Sequence, residues 1–95
     1  MGFKEKVYVI IKKIPKGKVS TYKAIARKLN SKAYRAIGNA LNKNYNKDVP
    51  CHRVINSNGH IGGFNSGTKR KIQILRKEGI EIKNNRIDLK KFGII

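Results

Sequence analysis

Cys51 is the only cysteine of the chain, and it stands between Pro50 and His52 in the run Val49-Pro50-Cys51-His52-Arg53-Val54-Ile55, amid many basic residues. A thiol so placed has a chemistry available to it. The thiolate is the nucleophile, and nearby cations or an accepting imidazole draw a cysteine toward it from an unperturbed pKa of about 8.5. The alternative is a buried, inert side chain. Adjacent residues of a strand point to opposite sides, so contact between Cys51 and His52 requires a turn or a bridging water. A zinc site from Cys51, His52 and His60 lacks recognisable ligand spacing, and one cysteine allows neither an internal disulfide nor a thiolate-rich metal site. Glu78 is one of five acidic residues. It is either an exposed charge neutralising its lysine neighbours or a functional carboxylate. The glycine-rich loop Ile61 to Gly67 lacks the Lys-Ser/Thr ending of a phosphate-binding P-loop.

The elements that must position these residues are legible from periodicity. Phe3, Val7, Ile10, Ile11 and Ile14 form one face of an amphipathic helix, with Lys4, Lys6, Lys12 and Lys13 on the other. Pro15-Lys16-Gly17 ends it. Ser20 is the expected N-cap of a second helix of about ten residues, in which Tyr22, Ile25, Ala26 and Leu29 share a face. Asn30 or Ser31 can cap a third helix running to Lys43, with Ala33, Ile37, Ala40 and Leu41 inward and Arg35, Asn39 and Asn42 outward. Two short helices so joined predict a helix-turn-helix, although two packed helices with a solvated face fit the same pattern. Arg35 and Asn39 can donate to phosphates and base edges, and Ala36 and Gly38 permit close approach to a groove.

Asn42 to Asp48 reads as a polar loop and Asn56-Ser57-Asn58-Gly59 as a turn. A fourth helix is predicted from Thr68 to Glu78, burying Ile72 and Leu75, with Gly79 as its C′ residue. Ile80-Glu81-Ile82 and Arg86-Ile87-Asp88 flank Asn84-Asn85 as a small hairpin. The expected fold is mainly α with minor short β strands, a winged-helix-like helix-turn-helix, in a single domain over residues 1–95. Neither an internal repeat nor a linker is visible.

Composition narrows the function. With 95 residues, 23 Lys+Arg and 5 Asp+Glu, the formal charge is +18. Such a charge on so small a surface opposes folding by self-repulsion, and its usual compensation is a polyanion, either nucleic acid or an anionic membrane; nucleic acid is expected ahead of a merely solvated basic surface. The 39% hydrophobic content, rich in Ile, excludes a disordered chain. Val7 to Ile11 is far short of a membrane span, no signal peptide is evident, and Lys6 breaks a myristoylation pattern at Met1-Gly2. A cytoplasmic monomer is expected.

The stretch Pro50-Cys51-His52-Arg53-Val54 resembles the active-site signature of the O6-alkylguanine-DNA alkyltransferases, the methylated-DNA protein-cysteine methyltransferases. Three further motifs agree in order and spacing: Ile14-Pro15-Lys16-Gly17-Lys18-Val19-Ser20-Thr21-Tyr22, Arg35-Ala36-Ile37-Gly38 and Gly62-Gly63-Phe64. The resemblance covers nearly the whole chain but only the DNA-binding and catalytic half of a typical member, so the usual N-terminal domain is expected to be absent. It implies that Arg35 enters the duplex and fills the space of the extruded nucleotide. Tyr22 then presses the neighbouring phosphate and hydrogen-bonds the flipped base, and the third helix lies in the minor groove of double-stranded DNA, where readout is degenerate. Flipping is required because an O6 substituent inside a stacked duplex cannot meet a nucleophile in a protein interior. Cys51 is then the alkyl acceptor, His52 its base through water and Glu78 the carboxylate orienting His52. Asn44 ties the recognition helix to the active-site turn, the Val54 backbone receives the guanine amino group, and Phe64 and Asn65 belong to the substrate loop. The implied activity is stoichiometric, self-inactivating repair of O6-alkylguanine, with O4-alkylthymine as a second substrate and no metal or organic cofactor.

Several departures bear on that reading. Phe64 stands where many relatives have tyrosine, and Asn65 where serine is frequent, so the loop's contact to O6 is expected to rest on backbone N–H alone. The loop before Pro50 is shorter and more polar than usual. The small size and the run from Gly79 to Leu89 resemble the alkyltransferase-like proteins, which bind alkylated DNA without repairing it and lack the acceptor cysteine that this chain has. A lesion sensor and a plain helix-turn-helix protein with a structural Cys51 are the competing readings.

Overall fold

Apolar residues at helical spacing dictate the first half of the chain. In the computed structural model, which describes residues 2–94, α1 (Phe3–Lys12), α2 (Tyr22–Lys28) and α3 (Tyr34–Asn42) enclose one core. Val7, Ile11 and Ile14, Ile25 and Ala26, and Ile37, Ala40 and Leu41 meet there together with Val49, Cys51 and Val54. The Tyr8 hydroxyl donates to the Ala40 carbonyl at 2.7 Å, tying α1 to the last turn of α3. Phe3, expected on the inward face of α1, is 37% exposed because it lies a turn beyond the helices that cover Val7 and Ile11.

The helix ends differ from the sequence reading for local reasons. Ser20 does not cap α2: it pairs with Val54 in a two-residue parallel sheet, β1 (Ser20–Thr21) with β2 (Val54–Ile55). The cap passes to Thr21, whose hydroxyl accepts from the Ala24 N–H at 3.1 Å. Asn30 closes α2 rather than opening α3. It takes φ 51°, and the Asn30 and Ser31 N–H groups return to the Arg27 and Ala26 carbonyls. The Ser31 hydroxyl accepts from Ala33 N–H, and α3 begins only at Tyr34, leaving Ala33 exposed instead of inward.

A second core holds the C-terminal half: Val19, Ile55, Ile61, Leu75, Ile80, Ile82, Ile87 and Phe92. Val54 faces the first core and Ile55 the second, as alternation along a strand requires, so β2 is the partition between them. α4 (Thr68–Lys77) ends in a Schellman motif, with the Gly79 and Ile80 N–H groups donating to the Arg76 and Leu75 carbonyls and Gly79 at φ 92°. That stop fixes Glu78 at the C-cap. Asn84 and Asn85, both at positive φ, make the expected tight turn, but its flanks carry only isolated bridges instead of strands. A short α5 (Leu89–Phe92), capped by Asp88, completes the second core.

Candidate active site

Cys51, His52 and Arg53 form one turn of 3-10 helix between Pro50 and β2, not an extended strand. At three residues per turn, successive side chains diverge by about 120° rather than 180°, so Cys51 and His52 line one cleft. Cys51 is 7% exposed and lines that cleft of about 540 Å³. The Asn44 amide nitrogen donates to Cys51 Sγ at 3.3 Å and to the Val49 carbonyl at 3.0 Å, which aims the sulfur and fixes the preceding loop at once. The polar character of that loop has a structural reason. The Asn44 and Asn46 side chains accept from the Asn46 and Asp48 N–H groups, two successive Asx turns that shape the short connection.

His52 Nε2 donates to Glu78 Oε2 at 3.0 Å. A carboxylate only accepts, so a neutral imidazole in this contact carries its proton on Nε2 and leaves Nδ1 unprotonated. Burial lowers the pKa of His52 and outweighs the opposing pull of Glu78, while Arg53 and Lys71 lower it further, so the ring is neutral at neutral pH. Glu78 is held from two sides. Arg53 donates to Oε1 through Nε at 3.0 Å and to Oε2 through Nη2 at 2.7 Å, and its Nη1 reaches the Ile14 carbonyl at 2.8 Å. Burial alone would push the Glu78 carboxyl up; the hydrogen bonds from Arg53 and His52 overcome that and hold it below its usual value.

Arg53 and Lys71 are the residues that sequence reasoning missed. Lys71 is only 1% exposed, and its ammonium donates to the carbonyls of Val54 at 2.8 Å and Gly63 at 3.1 Å, joining β2 to the glycine loop. The signal was a lysine one turn before Leu75 on the inward stripe of α4. The Val54 carbonyl thus accepts a hydrogen bond from a buried ammonium. Phe64 and Asn65 line the Cys51 cleft. The Asn65 amide nitrogen donates to the Asn44 carbonyl at 2.6 Å, and the Ser66 hydroxyl, which also lines the cleft, donates to Asn65 Oδ1 at 3.3 Å.

Lys71 provides a test of this arrangement. Burial pushes its pKa from 10.5 down to about 8, against an opposing attraction from Cys51. Between these values the unfolded chain binds more protons than the folded one, so this group adds stability as pH rises from 8 toward 10.5. Relative to Lys71→Met, the wild type should gain on the order of 2–3 kcal/mol across that window in denaturant titrations. A constant difference would mean that the ammonium is not buried in solution.

Arg35 and Tyr22 lie elsewhere, on a second, more open cleft of about 740 Å³ shared with Lys23, Tyr34, Gly38 and Ser57. Arg35 is exposed, Ala36 and Asn39 are exposed beside it on α3, and a Cβ at Gly38 would meet open space. Tyr22 also packs against the core cluster that contains Cys51, and burial, followed by the influence of Cys51, raises its phenol pKa. Among the described residues, no group of three or more His, Cys, Asp or Glu could hold a metal ion, and no helix is long and apolar enough to cross a membrane.

Known proteins share this arrangement of sequence and fold. The family model of the 6-O-methylguanine DNA methyltransferase DNA-binding domain matches residues 2–80. A bifunctional methyltransferase/endonuclease of Picrophilus torridus is 44% identical over 88 residues, covering 90% of this chain and 30% of that one. A methylated-DNA–protein-cysteine methyltransferase of Saccharolobus solfataricus is 48% identical over 81 residues, covering 84% of this chain and 52% of its own length. The chain therefore spans about half or less of these curated relatives. The structure of S. pombe Atl1 in complex with damaged DNA containing O6-carboxymethylguanine superposes with TM-score 0.87 at 35% identity, over 98% of this chain and 94% of that one. With a family model matched over most of its length and relatives similar in both sequence and fold, the chain belongs to the 6-O-methylguanine DNA methyltransferase family, as a helix-turn-helix DNA-binding domain of mainly helical structure.

Proposed function

We propose that this domain repairs DNA by moving an alkyl group from the O6 atom of a flipped guanine to Cys51. The observation that carries the reading is a nearly buried sulfur, aimed by the Asn44 amide into a cleft that it shares with an imidazole backed by a carboxylate. His52 takes the thiol proton through water, and the sulfur forms a bond to the alkyl carbon as the C–O6 bond breaks. The bonding pair passes to the guanine, which takes up a proton at its ring, leaving a thioether on Cys51 and an unmodified base. A thioether offers no leaving route, so each molecule acts once. The same unit supplies both the acceptor and the DNA contacts: on the cleft beside α3, Arg35 fills the space that the extruded nucleotide leaves and Tyr22 presses the neighbouring phosphate.

Intact-protein mass spectrometry after incubation with duplex DNA containing O6-methylguanine tests this directly. One added methyl group, mapped to Cys51, is the expected result. An unchanged mass with tight, lesion-selective binding would instead assign the chain to lesion sensing. That second reading is favoured by the match to nearly the full length of Atl1, whereas the acceptor cysteine supports transfer.

The charge of +18 gives a separate expectation for DNA binding. If about four to six phosphates are neutralised, log K should fall against log salt with a slope of roughly −4 to −5, with little dependence on sequence. A flat salt response in fluorescence anisotropy would remove the nucleic-acid reading.

A further inference from the structure

The cleft at Cys51 carries charge that the transfer chemistry does not use. Lys47 is the middle residue of the second Asx turn, and Arg70 stands on the first turn of α4; both line the cleft. Among the described residues, the ion pairs of side chains involve only Glu78 and Glu81, so neither Lys47 nor Arg70 is neutralised by one. Asp48, next to Lys47, does not line the cleft. Val49, Phe64 and Ile74 give the cleft its apolar lining, beside the neutral polar side chains of Asn46, Asn65 and Ser66.

We propose that this cleft favours O6-alkyl adducts ending in a carboxylate, with Lys47 and Arg70 as the specificity-determining side chains; the proposal rests on the alkyl-transfer reading above. The carbon bonded to O6 must lie at Cys51 Sγ for displacement, so whatever follows that carbon continues into the rest of the cleft. A neutral tail offers no charge for Lys47 and Arg70 to act on. A carboxylate-ended tail brings a negative charge close to a reacting thiolate, a repulsion that two unneutralised cations in the same cleft offset. The bonds made and broken are those of methyl transfer: S–C forms, C–O6 breaks, the pair and a proton go to guanine, and the carboxylate remains unchanged on the thioether.

The test compares duplexes carrying O6-carboxymethylguanine and O6-carbamoylmethylguanine, which match in shape and differ in charge. Single-turnover rates on both are measured for the wild type and for Lys47→Ala/Arg70→Gln, and the carboxylate-to-amide ratio is taken within each protein. Losses of folding or of general DNA affinity then cancel, as does the intrinsic reactivity of the two adducts between proteins. The wild-type ratio should exceed that of the double variant about three- to tenfold, the range for two exposed ion contacts. Arg70→Lys, keeping the charge, should retain most of the difference, and raising salt within the range that still binds the duplex should shrink it. Equal ratios in the wild type and the double variant would overturn the proposal. If the wild type transfers no alkyl group from any duplex, the transfer reading fails separately, and the same pair of ratios taken from lesion-duplex Kd values decides the charge preference of the cleft.

Discussion

Cys51→Ser should yield a folded protein that binds alkylated duplex and transfers nothing, the largest loss expected from any single substitution in the chain. The serine oxygen would occupy the same place beside Asn44, which donates to the sulfur at 3.3 Å. Its far higher pKa keeps an imidazole from ionising it at neutral pH, so position without ionisation gives no useful nucleophile. His52→Ala should lower the single-turnover rate by roughly 10²–10⁴, the usual value of general-base assistance, and less if Lys71 and its neighbours already favour the thiolate. Glu78→Gln is the informative partner. The amide oxygen of Gln can still accept from Arg53, so the fold contacts at Ile14 and the Schellman stop should survive, while the carboxylate that polarises His52 is gone. Adding Glu78→Gln to His52→Ala should cost little beyond His52→Ala alone, because a carboxylate with no imidazole beside it has nothing to orient. Additive losses would break the relay, and undiminished transfer by Cys51→Ser would remove Cys51 as the acceptor.

The pH dependence follows from the same geometry. Burial holds the His52 pKa below 6.5, so transfer should be constant near neutrality and fall only in acid, below the ordinary histidine range, as the ring takes up a proton and ceases to be a base. Glu78→Gln removes the hydrogen bond and the charge that oppose this depression, so its acid inflection should move lower still. An inflection that rises in Glu78→Gln would show that the carboxylate does not act on His52.

How far the sequence foretold this site depends on the range of the interactions. The inward stripe of α3 and the end of α4 were legible because each is a local pattern: Ile37, Ala40 and Leu41 at helical spacing, and a glycine where a helix must stop. The competition between Ser20 and Thr21 for the α2 cap was not, because it is decided by Val54, thirty-four positions away, which recruits Ser20 into a parallel pair. The short helix at Cys51 was hidden for a related reason, since Pro50-Cys51-His52-Arg53 has no periodicity long enough to read. Glu78 was open on its residues alone, and only the motif pattern directed it toward His52. Arg53, which orders that carboxylate, and Lys71, which ties β2 to the glycine loop, are cations in a chain with 23 of them, so neither stood out until packing singled it out.

Arg35→Ala should separate flipping from chemistry. Arg35 is the second residue of α3, and the opposite face of that helix is locked into the first core by Ile37, Ala40 and Leu41. Its guanidinium therefore stands on a fixed platform at the open cleft beside Tyr22, with Gly38 leaving space one turn along the helix. If it fills the gap left by the extruded nucleotide, removing it leaves the unstacking energy uncompensated. Transfer from duplex DNA should then slow roughly 10–100-fold, corresponding to the few kcal/mol that extrusion of a base requires. Transfer from a free O6-alkylguanine base needs no extrusion, and its rate should change little, because the Cys51 cleft lies apart from Arg35. Arg35→Lys should recover only part of the duplex rate, since an ammonium supplies charge without a planar group to lie against the orphaned base. Lys90→Ala, an exposed cation on α5, measures the loss from one charge anywhere on the surface, and its effect on duplex transfer should be small. Equal losses on duplex and free base for Arg35→Ala would place the residue in the support of the pocket; a duplex loss no larger than that of Lys90→Ala would reduce it to one more phosphate contact. Selective loss on the duplex, with the free-base rate intact, is the outcome that a rigid α3 carrying a flipping arginine requires.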